Sequence, residues 1–300
     1  MRSFATGATQ NMPKIRTADG VSLYYEEAGA GTPVVFVHEF AGDYRTWEPQ
    51  MRRFTRSHRC VTYSQRGYPP SDIPSDAASY GQDIARGDVI AVMDALGIEK
   101  AHVVGHSMGA YTSLHVGMRH PERCISVTAA GCGWGSLPDP AARAAMRAQA
   151  AETSKMFIAK GMSEAAAIYA DGATRHAQKF KDPRGYAEFA RMLAEHSAQG
   201  HALTMAMLQS KRPTLWDMEE DLKKFKVPLL VLCGDEDETC LDGSVFLKRT
   251  APTAGLLVIP RSGHTITSEE PGAVNAALAE LFAAAERGRW LAHRPPGMKQ

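Results

Sequence analysis

The sequence has few cysteines, almost no excess charge and no long apolar run, and each of these absences excludes a class of protein. The five cysteines among 300 residues are odd in number and form no CxxC pair, so neither a disulfide framework nor a zinc site is indicated. The formal net charge is +1, and no basic tract of the kind that binds nucleic acid is present. Residues 1–13 lack the apolar core of a signal peptide, and no apolar run approaches the length that spans a membrane. We therefore expect a cytoplasmic protein whose partner is a small-molecule substrate, with no nucleic acid and no membrane; a homodimer is left open.

The chain does contain an alternation of short apolar runs and amphipathic stretches. Asp19-Gly20, between two alternating segments, predicts an antiparallel hairpin near the start. Apolar runs at 33–38, 60–64 and 124–130 indicate buried strands, and helical patterns separate them. Because strands that alternate with helices form parallel sheets, the sequence predicts an α/β fold with a doubly wound, mostly parallel sheet.

One stretch places a single hydroxyl at a predicted junction of strand and helix. Ser107 lies between an apolar run at 101–106 and a helical pattern that begins at Met108. Gly105 and Gly109 stand two positions to either side of it, which gives the pattern G-x-S-x-G. A sharp turn from strand to helix needs residues without side chains there, so that the serine can hold a strained backbone conformation. The pattern and its setting predict a nucleophile elbow with Ser107 as the nucleophile.

From this motif outward, over nearly all of its length, the chain resembles the α/β-hydrolase superfamily. In that family the nucleophile, the acid and the base follow one another in the sequence. The resemblance implies that Asp237, three residues beyond the glycine of its loop, is the acid, with Asp235 as the alternative. Of the eleven histidines, only His264 and His293 follow this loop, and His264 comes directly after the last apolar run whereas His293 lies in the tail. His264 is therefore the predicted base.

The same resemblance implies an oxyanion hole made of two backbone N–H groups. One belongs to Met108, the residue after the nucleophile, and the other to the third residue of an H-G-x motif, which here is Phe40. Glu39 stands where the family usually has glycine. This departure places a carboxylate beside the predicted hole unless the side chain turns away from it. His38, which opens the motif, is interpreted as a buried imidazole that ties the loop together.

The segment 137–225 differs in character from the rest of the chain. It is rich in Ala, Met, Lys and Glu at helical spacing and has no strand-like run, which predicts a helical insertion between two core strands. The predicted organisation is an α/β-hydrolase core at 14–136 and 226–286, this insertion at 137–225, and flexible tails at 1–13 and 287–300. The resemblance implies that the insertion is a cap over the active site. The predicted lining of the substrate pocket is Trp134, Phe157, Met205 and Trp216, and the polar residues that could anchor the cap are Arg175, His176, Arg184, His196 and Arg212.

These residues predict a serine-dependent hydrolase that needs no metal and no organic cofactor. Ser107 would attack a carbonyl carbon, His264 would carry the proton, and Asp237 would hold the histidine in the required tautomer. A serine rather than an aspartate at the elbow argues against the epoxide-hydrolase and dehalogenase branches of the family. We expect a carboxylic ester, a lactone or a related acyl compound whose acyl group is small and apolar or aromatic. Two alternatives stay open: hydrolysis of a carbon–carbon bond in a diketone, and a ligand-binding receptor in which the triad is idle.

Overall fold

The computed structural model describes residues 12–290, which fold around one eight-stranded sheet. The strands are β1 Lys14–Arg16, β2 Ser22–Ala28, β3 Thr32–Val37, β4 His58–Tyr63, β5 Ala101–His106, β6 Cys124–Ala130, β7 Leu229–Gly234 and β8 Ala254–Ile259. Their order across the sheet is β1-β2-β4-β3-β5-β6-β7-β8. β1 and β2 form the predicted hairpin, β2 pairs antiparallel with β4, and every later pairing is parallel. The predicted mostly parallel α/β sheet is confirmed.

Helices cover both faces of this sheet. They are α1 Glu48–Phe54, α2 Gln82–Ala95, α3 Met108–Arg119, α4 Pro140–Ala170, α5 His176–Lys181, α6 Pro183–Ala194, α7 Ala198–Leu203, α8 Glu219–Leu222, α9 Glu238–Thr250, α10 Ile266–Glu269 and α11 Pro271–Glu286. Along β3, Val35 and Val37 face the core layer that includes α2 and α3, whereas Val34 and Phe36 face the layer that includes α1 and α11. Both faces are apolar because both are buried, which is the doubly wound arrangement. None of the helices between residues 12 and 290 is both long and apolar enough to cross a membrane.

Both ends of the described chain contact the sheet or the core. Residues 1–11 and 291–300, and with them His293, lie outside the described residues. Within the part described, the Tyr25 N–H donates to the carbonyl of Pro13 at 3.2 Å. The indole N–H of Trp290 donates to the carbonyl of Thr253 at 2.7 Å, and its ring packs against the core layer of α1 and α11. Trp290 thus buries part of its ring on the core, within the segment predicted as a tail.

The chain between β6 and β7 contains helices α4 to α8, and α4 is broken at Gly161, where φ is 70°. α7 approaches the loop after β4 so closely that a Cβ on Gly200 would collide with the carbonyl oxygen of Gly67. Glycine at position 200 permits this contact between the two backbones. These helices therefore rest on loops at the carboxyl edge of the parallel strands, which is the edge at which open α/β sheets bind their ligands.

Candidate active site

Ser107 lies at a strained turn between β5 and α3. Its backbone has φ 52° and ψ −110°. Residues other than glycine rarely adopt a φ in this positive range. A Cβ on Gly105 would collide with the carbonyl of Gly109, and a Cβ on Gly109 would collide with the carbonyl of Val37 at the end of β3. The two glycines thus let α3 approach β5 and β3, and the turn has the geometry of a nucleophile elbow.

Three side chains from separate loops form one hydrogen-bonded line at this turn. His264, after β8, places its Nε2 2.9 Å from Ser107 Oγ. Its Nδ1 lies 2.7 Å from Oδ2 of Asp237, which follows β7. All three residues are buried. The hydroxyl of Thr239 donates to the second carboxylate oxygen of Asp237 at 3.0 Å, so both oxygens of this acid have partners.

The interaction between Asp237 and His264 outweighs the cost of burying their charges. Burial raises the pKa of Asp237, but the charge and hydrogen bond of His264 lower it overall to about 2. Burial lowers the pKa of His264, but the Asp237 carboxylate raises it overall above the ordinary value of 6.5. The pair therefore favours the imidazolium form that a general base reaches after it takes a proton.

The acid loop contains four carboxylates, and the structure separates them. Asp235, Glu236 and Glu238 are exposed, whereas Asp237 is buried beside His264. The Asp235 carboxylate instead accepts the backbone N–H of Ser262 at 3.1 Å and so braces the neighbouring loop. Of the two acids considered from the sequence, Asp237 is the one within hydrogen-bond distance of the histidine.

The residues predicted to form the oxyanion hole lie beside the serine. Met108 is the first residue of α3, so its N–H is among those that have no acceptor within the helix. Phe40 follows β3 on the loop that Gly109 touches, and the side chains of Phe40 and Met108 are buried in one apolar cluster. His38 holds this loop as predicted: its Nδ1 lies 2.6 Å from the carbonyl of Glu39, and its Nε2 accepts the N–H of Gln65 at 3.0 Å.

Glu39 turns towards the insertion and forms a buried ion pair with Arg175. Both carboxylate oxygens accept from the guanidinium, one of them from Nη1 at 2.8 Å. Glu39 is 3% exposed and Arg175 is 1% exposed, and the guanidinium also lies 4.5 Å from the centre of the Phe189 ring. Burial raises the pKa of Glu39, but the charge of Arg175 lowers it overall to about 2. The carboxylate therefore stays ionised and is neutralised by a residue 136 positions away.

Comparison with known proteins assigns the chain to a family. A model of the alpha/beta hydrolase fold matches residues 32–271. The chain belongs to the α/β-hydrolase family. The match to two curated relatives, one named as a hydrolase and one as a lactonase, extends over most of the chain, and this protein is an enzyme of the same family.

Two curated α/β-hydrolase relatives and one solved structure illustrate the likeness. RutD of Caulobacter sp. (strain K31), which is named for carbamate hydrolysis, is 32% identical over 277 residues, or 87% of this chain and 95% of the relative. The 3-oxoadipate enol-lactonase 1 of Acinetobacter baylyi is 29% identical over 254 residues, or 79% of this chain and 84% of the relative. A hydrolase from Pseudomonas aeruginosa superposes with a TM-score of 0.80 at 24% identity, covering 92% of this chain and all of that one. This last likeness shows the fold alone.

Two residues that sequence reasoning missed hold the histidine loop of this α/β-hydrolase. Glu269 accepts the N–H of Gly263 at 2.8 Å, the N–H of Thr265 at 3.0 Å and the Thr265 hydroxyl at 2.7 Å. His106 Nε2 donates to the carbonyl of His264 at 2.7 Å. Glu269 follows the histidine by five positions, and no spacing rule marks it. His106 adjoins the nucleophile and could have been singled out on that ground.

The structure brings together three of the four residues predicted to line the substrate pocket. Phe157 and Met205 are buried in the apolar cluster of Phe40 and Met108, and Trp134 packs against that cluster. Trp216 does not belong to it, so the structure does not bring this residue together with the other three. Its ring stacks on Phe246 of α9 at 4.5 Å and packs against the core layer of α2 and α3. A helical spacing of apolar residues indicates that they are buried, but it does not indicate against which surface.

Two cavities lie between the insertion and the core of the enzyme. One of about 200 Å³ is lined by Thr174 and Ala177 from the insertion and reaches Asp237 and His264. The other, of about 420 Å³, has both Glu39 and Arg175 in its wall. His264 thus borders the smaller space, and the ion pair, although nearly all of its surface is buried, forms part of the wall of the larger one.

Proposed function

We propose that this α/β-hydrolase is a serine hydrolase that cleaves a carboxylic ester, a lactone or a related acyl bond through an acyl-enzyme. The observation that carries the proposal is the line from Ser107 Oγ to His264 Nε2 at 2.9 Å and from His264 Nδ1 to Asp237 Oδ2 at 2.7 Å. A nucleophile, a base and an acid that orients the base are the parts that acyl transfer requires. The strained elbow, which places Ser107 at the turn from strand to helix, adds support.

In the proposed mechanism, Ser107 Oγ attacks the substrate carbonyl carbon while its proton passes to His264 Nε2. The carbonyl electrons move to oxygen, and the backbone N–H groups of Phe40 and Met108 stabilise that oxyanion. Collapse of the tetrahedral intermediate expels an alkoxide, which takes the proton from His264 and leaves the acyl group on Ser107. A water molecule that loses its proton to His264 then attacks the acyl carbon, and Ser107 leaves with that proton. Asp237 keeps Nδ1 protonated throughout and stabilises the imidazolium.

We propose that the insertion 137–225 acts as the cap and selects a small apolar or aromatic acyl group. Phe157 and Met205, which pack beside Phe40 and Met108, support this choice because they offer an apolar wall next to the serine. Methionine adapts its shape easily, so the wall suits a range of acyl lengths. The names of the two curated relatives support acyl-bond hydrolysis as the reaction class. A cytoplasmic site of action is supported by the five cysteines, all of which are buried and free, as is usual in a reducing compartment.

A fluorophosphonate probe tests the proposal, because it labels an activated serine and spares an idle one. We expect labelling of the wild-type protein and none of Ser107→Ala. Purified protein is then given p-nitrophenyl esters of graded chain length, several lactones and a vinylogous diketone. Turnover of an ester or a lactone supports the proposal. Absence of labelling would identify a receptor with an idle triad, and cleavage of the diketone alone would identify a carbon–carbon bond hydrolase.

A further inference from the structure

Two histidines and a glutamate meet at the amino edge of the parallel strands, opposite the triad. His58 is the first residue of β4, His102 is the second residue of β5, and Glu286 is the last residue of α11. Ser107 lies five positions after His102 along extended chain, which at about 3.3 Å per residue places this cluster roughly 16 Å from the elbow. The predicted chemistry at Ser107 makes no use of it.

His102 Nε2 forms a long hydrogen bond with Glu286, and the distances within this cluster also match the edges of a metal-coordination polyhedron. Glu286 Oε1 lies 3.3 Å from His102 Nε2 and 3.5 Å from His58 Nε2. Charge-assisted hydrogen bonds between nitrogen and oxygen are usually about 2.7–2.9 Å long. A tetrahedral Zn²⁺ site with bonds of about 2.0–2.1 Å places neighbouring ligand atoms about 3.3–3.4 Å apart. All three ligand atoms lie within 4.8 Å of one another.

The residues around the cluster supply what metal-binding imidazoles need. His102 Nδ1 lies 2.7 Å from the Ser126 hydroxyl, and His58 Nδ1 lies 2.8 Å from the Ser57 hydroxyl. Metal-bound histidines usually donate the proton of the other ring nitrogen to such a partner, which leaves Nε2 free to bind. A hydroxyl can donate or accept, so it suits both the metal-free and the metal-bound tautomer. The Phe282 ring packs against both imidazoles, with ring centres 4.1 Å from His102 and 5.3 Å from His58, and so restricts their rotation.

We propose that His58, His102 and Glu286 form a binding site for one divalent transition-metal ion, with Zn²⁺ as the expected occupant. Two imidazoles and one carboxylate are a donor set that Zn²⁺ accepts, with water at the fourth position. Solvent reaches the site, because the side chain of His58 is 15% exposed and that of Glu286 is 35% exposed. The ion would join β4 and β5 to the end of the last helix and would stabilise the folded chain, because it binds the native state. Its role is structural and is independent of the proposed hydrolysis.

The test is a calorimetric titration of the full-length protein with ZnCl₂ after treatment with a chelator. We expect one ion per chain in the micromolar range or tighter, and a rise in Tm. His58→Gln and Glu286→Gln should each weaken binding by about tenfold or more. His120→Gln is the matched control, since His120 Nδ1 lies 3.7 Å from the Glu122 carboxylate on the surface, and it should keep the wild-type Kd. Circular dichroism melts in chelator establish that each variant is folded.

A second group of side chains that could hold a metal ion lets the test distinguish between two binding sites. Asp237, Cys240 and His264 also lie close together, with Cys240 Sγ 3.7 Å from His264 Nδ1. Zn²⁺ bound there would be lost in His264→Ala, whereas the proposed site keeps its affinity in that variant. The proposal is overturned if the wild-type protein binds no Zn²⁺, if both His58→Gln and Glu286→Gln retain the wild-type Kd, or if His264→Ala abolishes binding. X-ray absorption of the Zn²⁺ complex should show two imidazole nitrogens at about 2.0–2.1 Å.

Discussion

Glu39 and Arg175 form a bidentate ion pair that is shielded from water and joins the loop after β3 to the insertion. Phe40, whose N–H is a proposed oxyanion donor, is the next residue along that loop. The pair therefore does two things at once. Arg175 neutralises the Glu39 carboxylate, whose charge raises the pKa of His264. The pair also fixes the backbone that carries the N–H of Phe40.

Breaking this pair on one side should destabilise the protein strongly. Glu39→Gln or Arg175→Met leaves a charge or a polar group buried without its partner, and each should lower the free energy of unfolding by about 3–5 kcal/mol. Glu39→Leu combined with Arg175→Met removes both charges and should cost much less than the sum of Glu39→Leu and Arg175→Met alone. Urea denaturation measures all of these variants. Additive losses would show that the two residues do not stabilise each other.

Loss of stability in acid should depend on the same carboxylate. The pKa of Glu39 is about 2 in the folded protein and ordinarily 4.5, so its contribution is complete above pH 4.5 and is lost as the pH falls towards 2. Over this window the free energy of unfolding should fall more steeply with decreasing pH for the wild type than for Glu39→Gln. Asp237, whose pKa is also about 2, should leave part of the slope in that variant. Denaturant titrations at a series of pH values measure the free energy of unfolding of both proteins. Equal slopes against pH for the wild type and Glu39→Gln would contradict the depressed pKa of Glu39.

Each member of the triad should be essential to turnover and dispensable for folding. Ser107→Ala, His264→Ala and Asp237→Asn should each reduce kcat by about 10³-fold or more, and the losses should not multiply when they are combined. Asp235→Asn is the matched control, since Asp235 is an exposed acid of the same loop, and it should stay within a few-fold of the wild type. Steady-state kinetics on the preferred ester decide the matter. A large loss of kcat in Asp235→Asn, together with an unchanged kcat in Asp237→Asn, would identify Asp235 as the acid.

The pH dependence of kcat/KM should report the charge around His264. The base is active when neutral, and its pKa lies above 6.5 because Asp237 outweighs the effect of burial. The acidic limb of the profile should therefore have its midpoint above 6.5. Asp237→Asn should move this midpoint to lower pH, besides lowering the rate. Glu39→Gln should move it in the same direction by less, because the Glu39 charge also raises the pKa of His264. If neither substitution moves the midpoint, a group other than His264 determines the acidic limb of the profile.

Acyl-chain preference should follow Phe157 rather than Trp216. Phe157→Ala removes a ring from the apolar wall beside Phe40 and so enlarges the pocket. The preferred p-nitrophenyl ester should shift to longer chains, and each methylene that the pocket newly accommodates should change the activation free energy derived from kcat/KM by about 1–3 kcal/mol. Trp216→Ala is the control, because it also removes a large ring, and Trp216 stacks on Phe246 of the core. This variant should keep the wild-type chain-length preference. Fluorophosphonate labelling should persist in both variants. The same profile for Phe157→Ala and the wild type would show that the insertion does not select the acyl group.

The parts of this enzyme that follow from local patterns could be predicted from the sequence. Gly105 and Gly109 are required by a collision between backbones, so the motif itself carries the elbow geometry around Ser107. The apolar run before His264 marks the end of a strand, which singles out that histidine, whereas the choice of Asp237 over Asp235 came from the resemblance to the family.

The parts that depend on distant partners could not be predicted. Glu39 was recognised as a departure, but nothing in its neighbourhood points to Arg175, which is 136 positions away. Trp216 is as apolar as the residues that pack beside the serine, and its contact with Phe246 distinguishes it from them. Periodicity determines that a side chain is buried; the surface on which it is buried is a property of the whole fold.

The contact between Gly200 and Gly67 bears on how such an enzyme could be recombined with its relatives. A cap transplanted from another α/β-hydrolase would bring its own residue to position 200, and any side chain there would hold α7 away from the loop after β4. The gap would open at the same interface as the Glu39–Arg175 pair and would admit water to two buried charges. A chimera whose insertion carries any other residue at position 200 therefore needs a matching change in the loop after β4, so the two surfaces form a single module although they are far apart in the chain.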